Sequence, residues 1–368
     1  MVEKKDRLLS LDALRGLSVI GMVLVNSIAV YHYGTGKPVY GPLLHAPWAG
    51  LTVADLVFPF FIFMVGVSLP FALGGQKEEA GLTGPVLIRL FKRAVLLFLI
   101  GLGLTLSFAD WDGPIRLLGV LQRIGLTFFG AAILFLTFSW RTLAIIALAV
   151  LVGYHGLLLV EVPDATRDLW APGQNFSSWF DRAMLGDNIY HPTAPIPFEP
   201  EGILGTLPSI AQALLGVLTG LYIKTKGGTI DTVGRLALAG TVLTVLGYGL
   251  APFHPIVKAV WSSTFVLATT GLGLLTFAFL IWVIDIKGYR GWSVTFMQAF
   301  GINAITAYVL HTYLMGPMLL NRFADHLVDG LGGTIGVPAA TLLPAFGVIL
   351  VTWLPVAIMQ RRKIILKV

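Results

Sequence analysis

The chain has 368 residues, of which 56% are apolar and only 12% charged, roughly half the charge density of a soluble domain. That balance excludes a water-soluble globule, a disordered chain and a nucleic-acid binder. The lack of cysteine excludes disulfides, thiolate catalysis and thiolate metal sites.

A membrane-spanning helix needs about 20 mostly apolar residues. Ten segments qualify: 11–30, 53–73, 88–108, 117–138, 142–160, 203–223, 235–253, 261–284, 293–315 and 338–359. The third is the weakest, because Arg89, Lys92 and Arg93 crowd its start. The predicted fold class is therefore all-α, a polytopic membrane bundle of about ten helices forming one domain, 1–368. No cleavable signal precedes the first span, and no internal repeat stands out, which counts against inverted-repeat transporter folds. With the N-terminus placed inside, seventeen of the 25 Lys and Arg residues fall on the inner side and six on the outer. Arg15 and Arg123 lie within spans. The net charge of +6 thus reads as a topology signal, with both termini cytoplasmic.

Taken along the chain, polar residues recur where lipid should be. In the first span Arg15 and Asn26 are eleven residues apart, three helical turns plus about 20°, so both project from one face. This seam is a ligand-lining stripe or a packing seam with Arg15 paired to Asp12. The first outer loop, 31–52, carries Tyr31, His32, Tyr33, Tyr40, His45 and Trp48. Asp55 stands in the first turn of the second span, where a carboxylate suits the helix dipole. It is also ten residues after His45, and a histidine oriented by a carboxylate is the usual general base. Spacing alone does not show that they touch. In the fourth span Arg116, Arg123 and Thr127 share a face. Arg123 lies too deep to reach a headgroup and needs an anion or carbonyls, while Gln122 points toward a neighbouring helix. The long loop 161–202 holds seven acids against two arginines, with aromatics and prolines that argue for an ordered cap; a solvated connector is the equal alternative. Glu201, at its end, is a substrate contact or a helix-start acid. Asn175-Phe176-Ser177 matches a glycosylation triplet, a pattern that also occurs by chance. The ninth span offers Asn303 at mid-depth and His311 near its outer end; Asn303 is a binding residue or interhelical glue. The seven histidines are too scattered to imply a metal.

Five blocks in order carry a resemblance: SLDALRGLSVIGMVLVNS at 10–27, LLHAPWAGLTVADLVFPFFIFMVGVS at 43–68, GVLQRIG at 119–125, EGILGTLPSIAQALLG at 201–216 and FGINAITAYVLH at 300–311. Together they resemble the heparan-α-glucosaminide N-acetyltransferase family and its bacterial relatives. The opening SLDALRG also resembles the wider transmembrane acyltransferase-3 group. The resemblance implies transfer of an acetyl group from cytosolic acetyl-CoA to an amino-sugar or glycan on the outer face. Its catalytic histidine falls on His45 and its supporting asparagine on Asn26, both outside in the charge-derived topology. Ala49 stands where the family carries asparagine, which bears on acceptor preference. Only ten residues precede the first shared helix, so the luminal domain of the animal members is expected to be absent.

The expected site therefore has His45, Asn26 and Asp55 as catalytic residues. Arg15, Arg123, Gln122 and Asn303 are placed toward acetyl-CoA, and Glu201, Trp48 and His311 toward the acceptor. No metal is expected. The expected partners are acetyl-CoA, a glucosamine-type sugar or glycan and membrane lipid, with a homodimer left open and no nucleic acid. The expected location is a bacterial cytoplasmic membrane. The rival reading is a secondary transporter of a sugar or organic acid, with Asp55, His45 and His311 as a proton relay.

Overall fold

The computed structural model describes residues 8–163, 168–190 and 196–366. It is 74% helical. Among the described residues no strand forms; an isolated antiparallel bridge joins Ala49 to Val257. Fourteen helices follow in order. They are α1 (Leu9–Thr35), α2 (Val53–Glu79), α3 (Gly84–Ser107), α4 (Val120–Thr137) and α5 (Trp140–Leu158), then α6 (Phe176–Leu185), α7 (Thr206–Lys226) and α8 (Ile230–Leu250). After these come α9 (Ser263–Leu280), α10 (Trp292–Ile302), α11 (Ala304–Leu319), α12 (Arg322–Ile335), α13 (Val337–Ala340) and α14 (Leu342–Arg361).

All ten expected spans are helical. Eight helices are long and apolar enough to cross a membrane, or nine with α10 and α11 taken as one span. The chain is thus an all-α, multi-pass membrane protein. The third expected span, α3, is a helix of 24 residues, but with three cations near its start it falls outside that set. The ninth expected span differs more: α10 and α11 meet at 87°. The break is at Asn303, whose side chain bonds backbone instead of letting the helix run on. Its Nδ2 donates to the Ile364 carbonyl at 3.2 Å. The Leu366 amide donates back to its Oδ1 at 3.4 Å. The chain after α14 therefore returns to the bend.

Glycines set the closest helix crossings. A Cβ on Gly66 of α2 would lie 1.9 Å from the Ala213 carbonyl oxygen of α7. One on Gly16 of α1 would lie 1.7 Å from the Met297 oxygen of α10. Between membrane helices, where lipid is as apolar as leucine, such close backbone approach supplies the packing.

The loops at the two ends of the bundle are distinct. One end gathers the first loop, the 109–119 segment, the α5–α7 connection and the turn before α9. The α5–α7 connection is an ordered cap in its described residues. Asn175 caps α6 by accepting from the Ser178 amide at 3.0 Å. Arg182 donates to the carbonyls of Gly173 and Pro197 at 2.7 and 2.8 Å. Tyr154 of α5 donates to the Val260 carbonyl at 2.7 Å. With Asn175 buried at 1% exposure, the glycosylation triplet is a helix cap. The opposite end holds Asp12, Arg15, Ser68 and Asp285, with the Asn303 bend beside them.

Candidate active site

The first loop is held at three points. Gly50 donates its amide to the Ile256 carbonyl at 2.8 Å, beside the Ala49–Val257 bridge. Trp48 donates Nε1 to the Trp170 carbonyl at 2.6 Å and meets Phe198 edge-on at 5.0 Å. Lys37 pairs with Asp329 of α12 at 2.8 Å. Trp48 thus joins the loop to the cap and to α9's leading turn.

Thr52 precedes α2, and Asp55 Oδ2 accepts the Thr52 amide at 3.1 Å, the return half of a capping box. The same oxygen takes the Ala46 amide at 3.1 Å and lies 2.9 Å from the Thr52 hydroxyl. Oδ2 is therefore filled, which leaves Oδ1 for the histidine: His45 Nδ1 is 2.8 Å away. The cap and the histidine partner that the sequence left as alternatives are one residue with two jobs. Asp55 is 1% exposed and the His45 side chain 44% exposed. A carboxylate only accepts, so Nδ1 carries the proton and Nε2 keeps its lone pair at the accessible edge.

Beside the same ring lies Lys258, which in the sequence is only one more outer cation. Its Nζ is 3.0 Å from Nδ1 and 3.1 Å from Nε2, and 3.6 Å from Asp55 Oδ1. Burial pushes its pKa down despite the attraction of Asp55 and Glu201. Its position just before α9, in PIVKAVWSS, was a weak signal. Only the loop bridge brings it to His45.

Asn26 is at the same end of α1 as the loop. Its Nδ2 lies 3.3 Å from His311 Nε2. His311 is 0% exposed, with Nδ1 3.3 Å from the Ala307 carbonyl. That carbonyl places the proton on Nδ1, so Nε2 accepts from Asn26. His311 thus orients an amide and is shut off from solvent. It does not extend the His45–Asp55 pair into the relay that the transporter reading needs.

At the opposite end of α1, Arg15 donates to Ser68 Oγ at 2.8 Å and lies 3.3 Å from Asp12. It also reaches the Gly301 carbonyl at 3.5 Å. Arg15 and Asn26 therefore both turn toward α10–α11, as the shared face requires. Asn303 is occupied by the chain's own residues Ile364 and Leu366. Gln122 is 1% exposed. Its Nε2 donates to the Leu117 carbonyl at 3.3 Å, a contact near its own helix start.

Arg123 is 1% exposed and lies over the Trp261 ring at 5.0 Å. Its Nη2 donates to the Gly202 carbonyl at 2.9 Å, while Nε and Nη1 have no hydrogen-bond partner. Beside it is a buried charge cluster under the cap. Arg116 holds Glu199 with bonds of 3.1 and 2.5 Å and also holds Glu201. Burial works against charge on Glu201, but Arg116, Arg123 and Lys258 outweigh it and hold its pKa low. Burial raises that of Glu199. Asp181 of α6 accepts the Ile203 amide at 2.8 Å, and burial pushes its pKa up to about 7. Three of the loop's seven acids are thus turned inward to hold the cap. Asp164 lies outside the described residues. Among the described residues no three His, Asp or Glu gather as a metal site.

The comparisons with known proteins fit this geometry. A family model described as a domain of unknown function (DUF5009) matches residues 7–152. Human heparan-alpha-glucosaminide N-acetyltransferase is 32% identical over 363 residues, covering 83% of this chain and 52% of the human protein. The mouse protein of that name is 30% identical, covering 84% of this chain and 54% of its own length. The chain spans about half the length of the curated relatives it matches. Along most of its length the chain is thus similar to the heparan-alpha-glucosaminide N-acetyltransferases, at 30–32% identity.

Proposed function

We propose that this chain is a multi-pass membrane acetyltransferase, working as a single domain, that moves an acetyl group from acetyl-CoA to an amino sugar at the capped end of the bundle. The observation that carries the reading is the 2.8 Å contact between His45 Nδ1 and Asp55 Oδ1, on an imidazole whose side chain is 44% exposed. The names of the relatives supply the transferred group and the glucosamine-type acceptor.

Acetyl transfer to an amine needs a neutral nucleophile, a polarised carbonyl and a place for negative charge. An ammonium cannot attack. Nε2 of His45, whose other nitrogen is committed to Asp55, removes the amine proton. Asn26 presents its second amide N–H to the carbonyl oxygen, its first being held by His311. The donor's phosphates meet cations at the far end of α1, where Arg15 and Ser68 adjoin. The donor's arm then runs along the face that Arg15 shares with Asn26. Arg123 has two unpartnered nitrogens, Nε and Nη1, beneath the cap, and Glu201 and Trp48 lie on the acceptor side. The positive-inside distribution supports a capped end that faces outward, and the membrane of this reading is a bacterial cytoplasmic one.

The test is release of CoA and formation of acetylglucosamine by the purified chain. His45→Ala should lower turnover by about 10²–10⁴-fold with the fold intact. Near-normal turnover in that variant would remove the assignment.

A further inference from the structure

Lys258 has no role in the mechanism above, yet it touches the base. Its ammonium is almost equally distant from the two ring nitrogens of His45, at 3.0 and 3.1 Å. Those nitrogens aim their in-plane orbitals in divergent directions. An atom equally near both is collinear with neither. Nε2 therefore keeps its own direction of attack, with a cation 3.1 Å away.

Other groups face Lys258 from every side. Asp55 faces it from α2, Glu201 from the end of the cap and Arg123 from α4. At 3.6 Å from Asp55 Oδ1 the ammonium lies beyond hydrogen-bond length, with its side chain 19% exposed. Asp55 has already filled Oδ2 with the amides of Ala46 and Thr52. Lys258 is therefore not needed to complete the carboxylate's hydrogen bonds. An ammonium taken this far out of water without an ideal partner is costly, and the Ala49–Val257 bridge fixes it there.

Resting on the acetyltransferase reading, we propose that Lys258 is a catalytic cation that offsets the negative charge left on the departing sulfur of the donor. In that step the amine nitrogen forms the new C–N bond as the C–S bond breaks, and the electron pair leaves with sulfur. The amine proton passes to Nε2 and from there to sulfur. Lys258 keeps its own protons and supplies charge. Asn26 serves the carbonyl oxygen, and the sulfur requires a different partner. The Asp55 carboxylate, like-charged, cannot be it.

The test compares two donors on the full chain in detergent, with glucosamine as acceptor. One is acetyl-CoA; the other is an acetyl thioester of an aromatic thiol, whose thiolate leaves unaided. With acetyl-CoA, Lys258→Met should lose about 10²-fold or more in kcat, and with the aromatic thioester less than about 10-fold. Lys258→Arg, which keeps the charge, should fall between wild type and Lys258→Met, and His45→Ala should not recover with either donor. Equal losses with both donors, or no loss with either, would overturn the role, and thermal unfolding of each variant shows whether a loss is structural. A wild-type chain inactive with both donors would instead overturn the acetyltransferase reading itself.

Discussion

Two histidine pairs at the candidate site have opposite character. His45 has a carboxylate partner and a 44% exposed side chain; His311 has an amide partner and is fully buried. In the first pair the anion fixes a tautomer and stabilises the charge that arrives with a proton. In the second a carbonyl fixes the tautomer, and the neutral ring accepts a hydrogen bond that sets which way Asn26 points. An imidazole in a membrane protein can thus be the reacting group or the bracket for one. Its partner and its exposure together tell which.

Removing the anion should break this contrast most severely. Asp55→Asn offers Nδ1 a neutral partner, and turnover should fall by about 10²–10⁴-fold. The same change loses an acceptor for the Thr52 and Ala46 amides, so a drop in thermal stability of about 1–3 kcal/mol should accompany it. Retained turnover in that variant would make the two pairs equivalent. The second pair should show a smaller effect of a different kind. His311→Phe keeps the volume but leaves Asn26 without its acceptor. It should lower kcat by about 10-fold or less, with the pH–rate profile unmoved, because a positioning residue takes no proton. A shifted profile would place His311 in the proton path and revive the relay.

The smallest effect concerns the cap over both pairs. Burial holds the Asp181 pKa at about 7, above its ordinary value. The unfolded segment therefore releases this proton first, and the stabilisation is complete only below about pH 4. It is lost progressively as pH rises from about 4 to about 7, so protection of α6 amides against hydrogen exchange should decline over that range and level off above it. In Asp181→Asn that decline should flatten.

Much of this was legible in the sequence, for reasons that differ by residue. The spans follow from apolar length: all ten expected segments are helical, though the ninth is broken at Asn303 and eight or nine helices are long and apolar enough to cross a membrane. The Arg15–Asn26 face follows from helical periodicity alone, since both lie on one rigid element. His45 and Asp55 were visible as a pair because only ten residues separate them and a helix start fixes one end. Lys258 was not legible, because its place depends on a bridge between loops far apart in sequence. His311 was visible as a buried polar group but assigned to an acceptor, because nothing local shows which way a helix face turns. The Asn303 bend escaped for the same reason: its partners are in the last residues described. Glu199 and Asp181 looked like outward-facing acids because composition cannot reveal that Arg116 and Ile203 draw them inward.

The bridge between Ala49 and Val257 carries a temporal consequence. The imidazole and its carboxylate are made in the first sixth of the chain, but the ammonium beside them arrives only after seven of the long helices have been synthesised. A nascent chain therefore holds the His45–Asp55 pair without Lys258 until the turn ahead of α9 docks. Under the role proposed for Lys258, full reactivity toward a thioester would be confined to molecules whose later helices have already been threaded and packed.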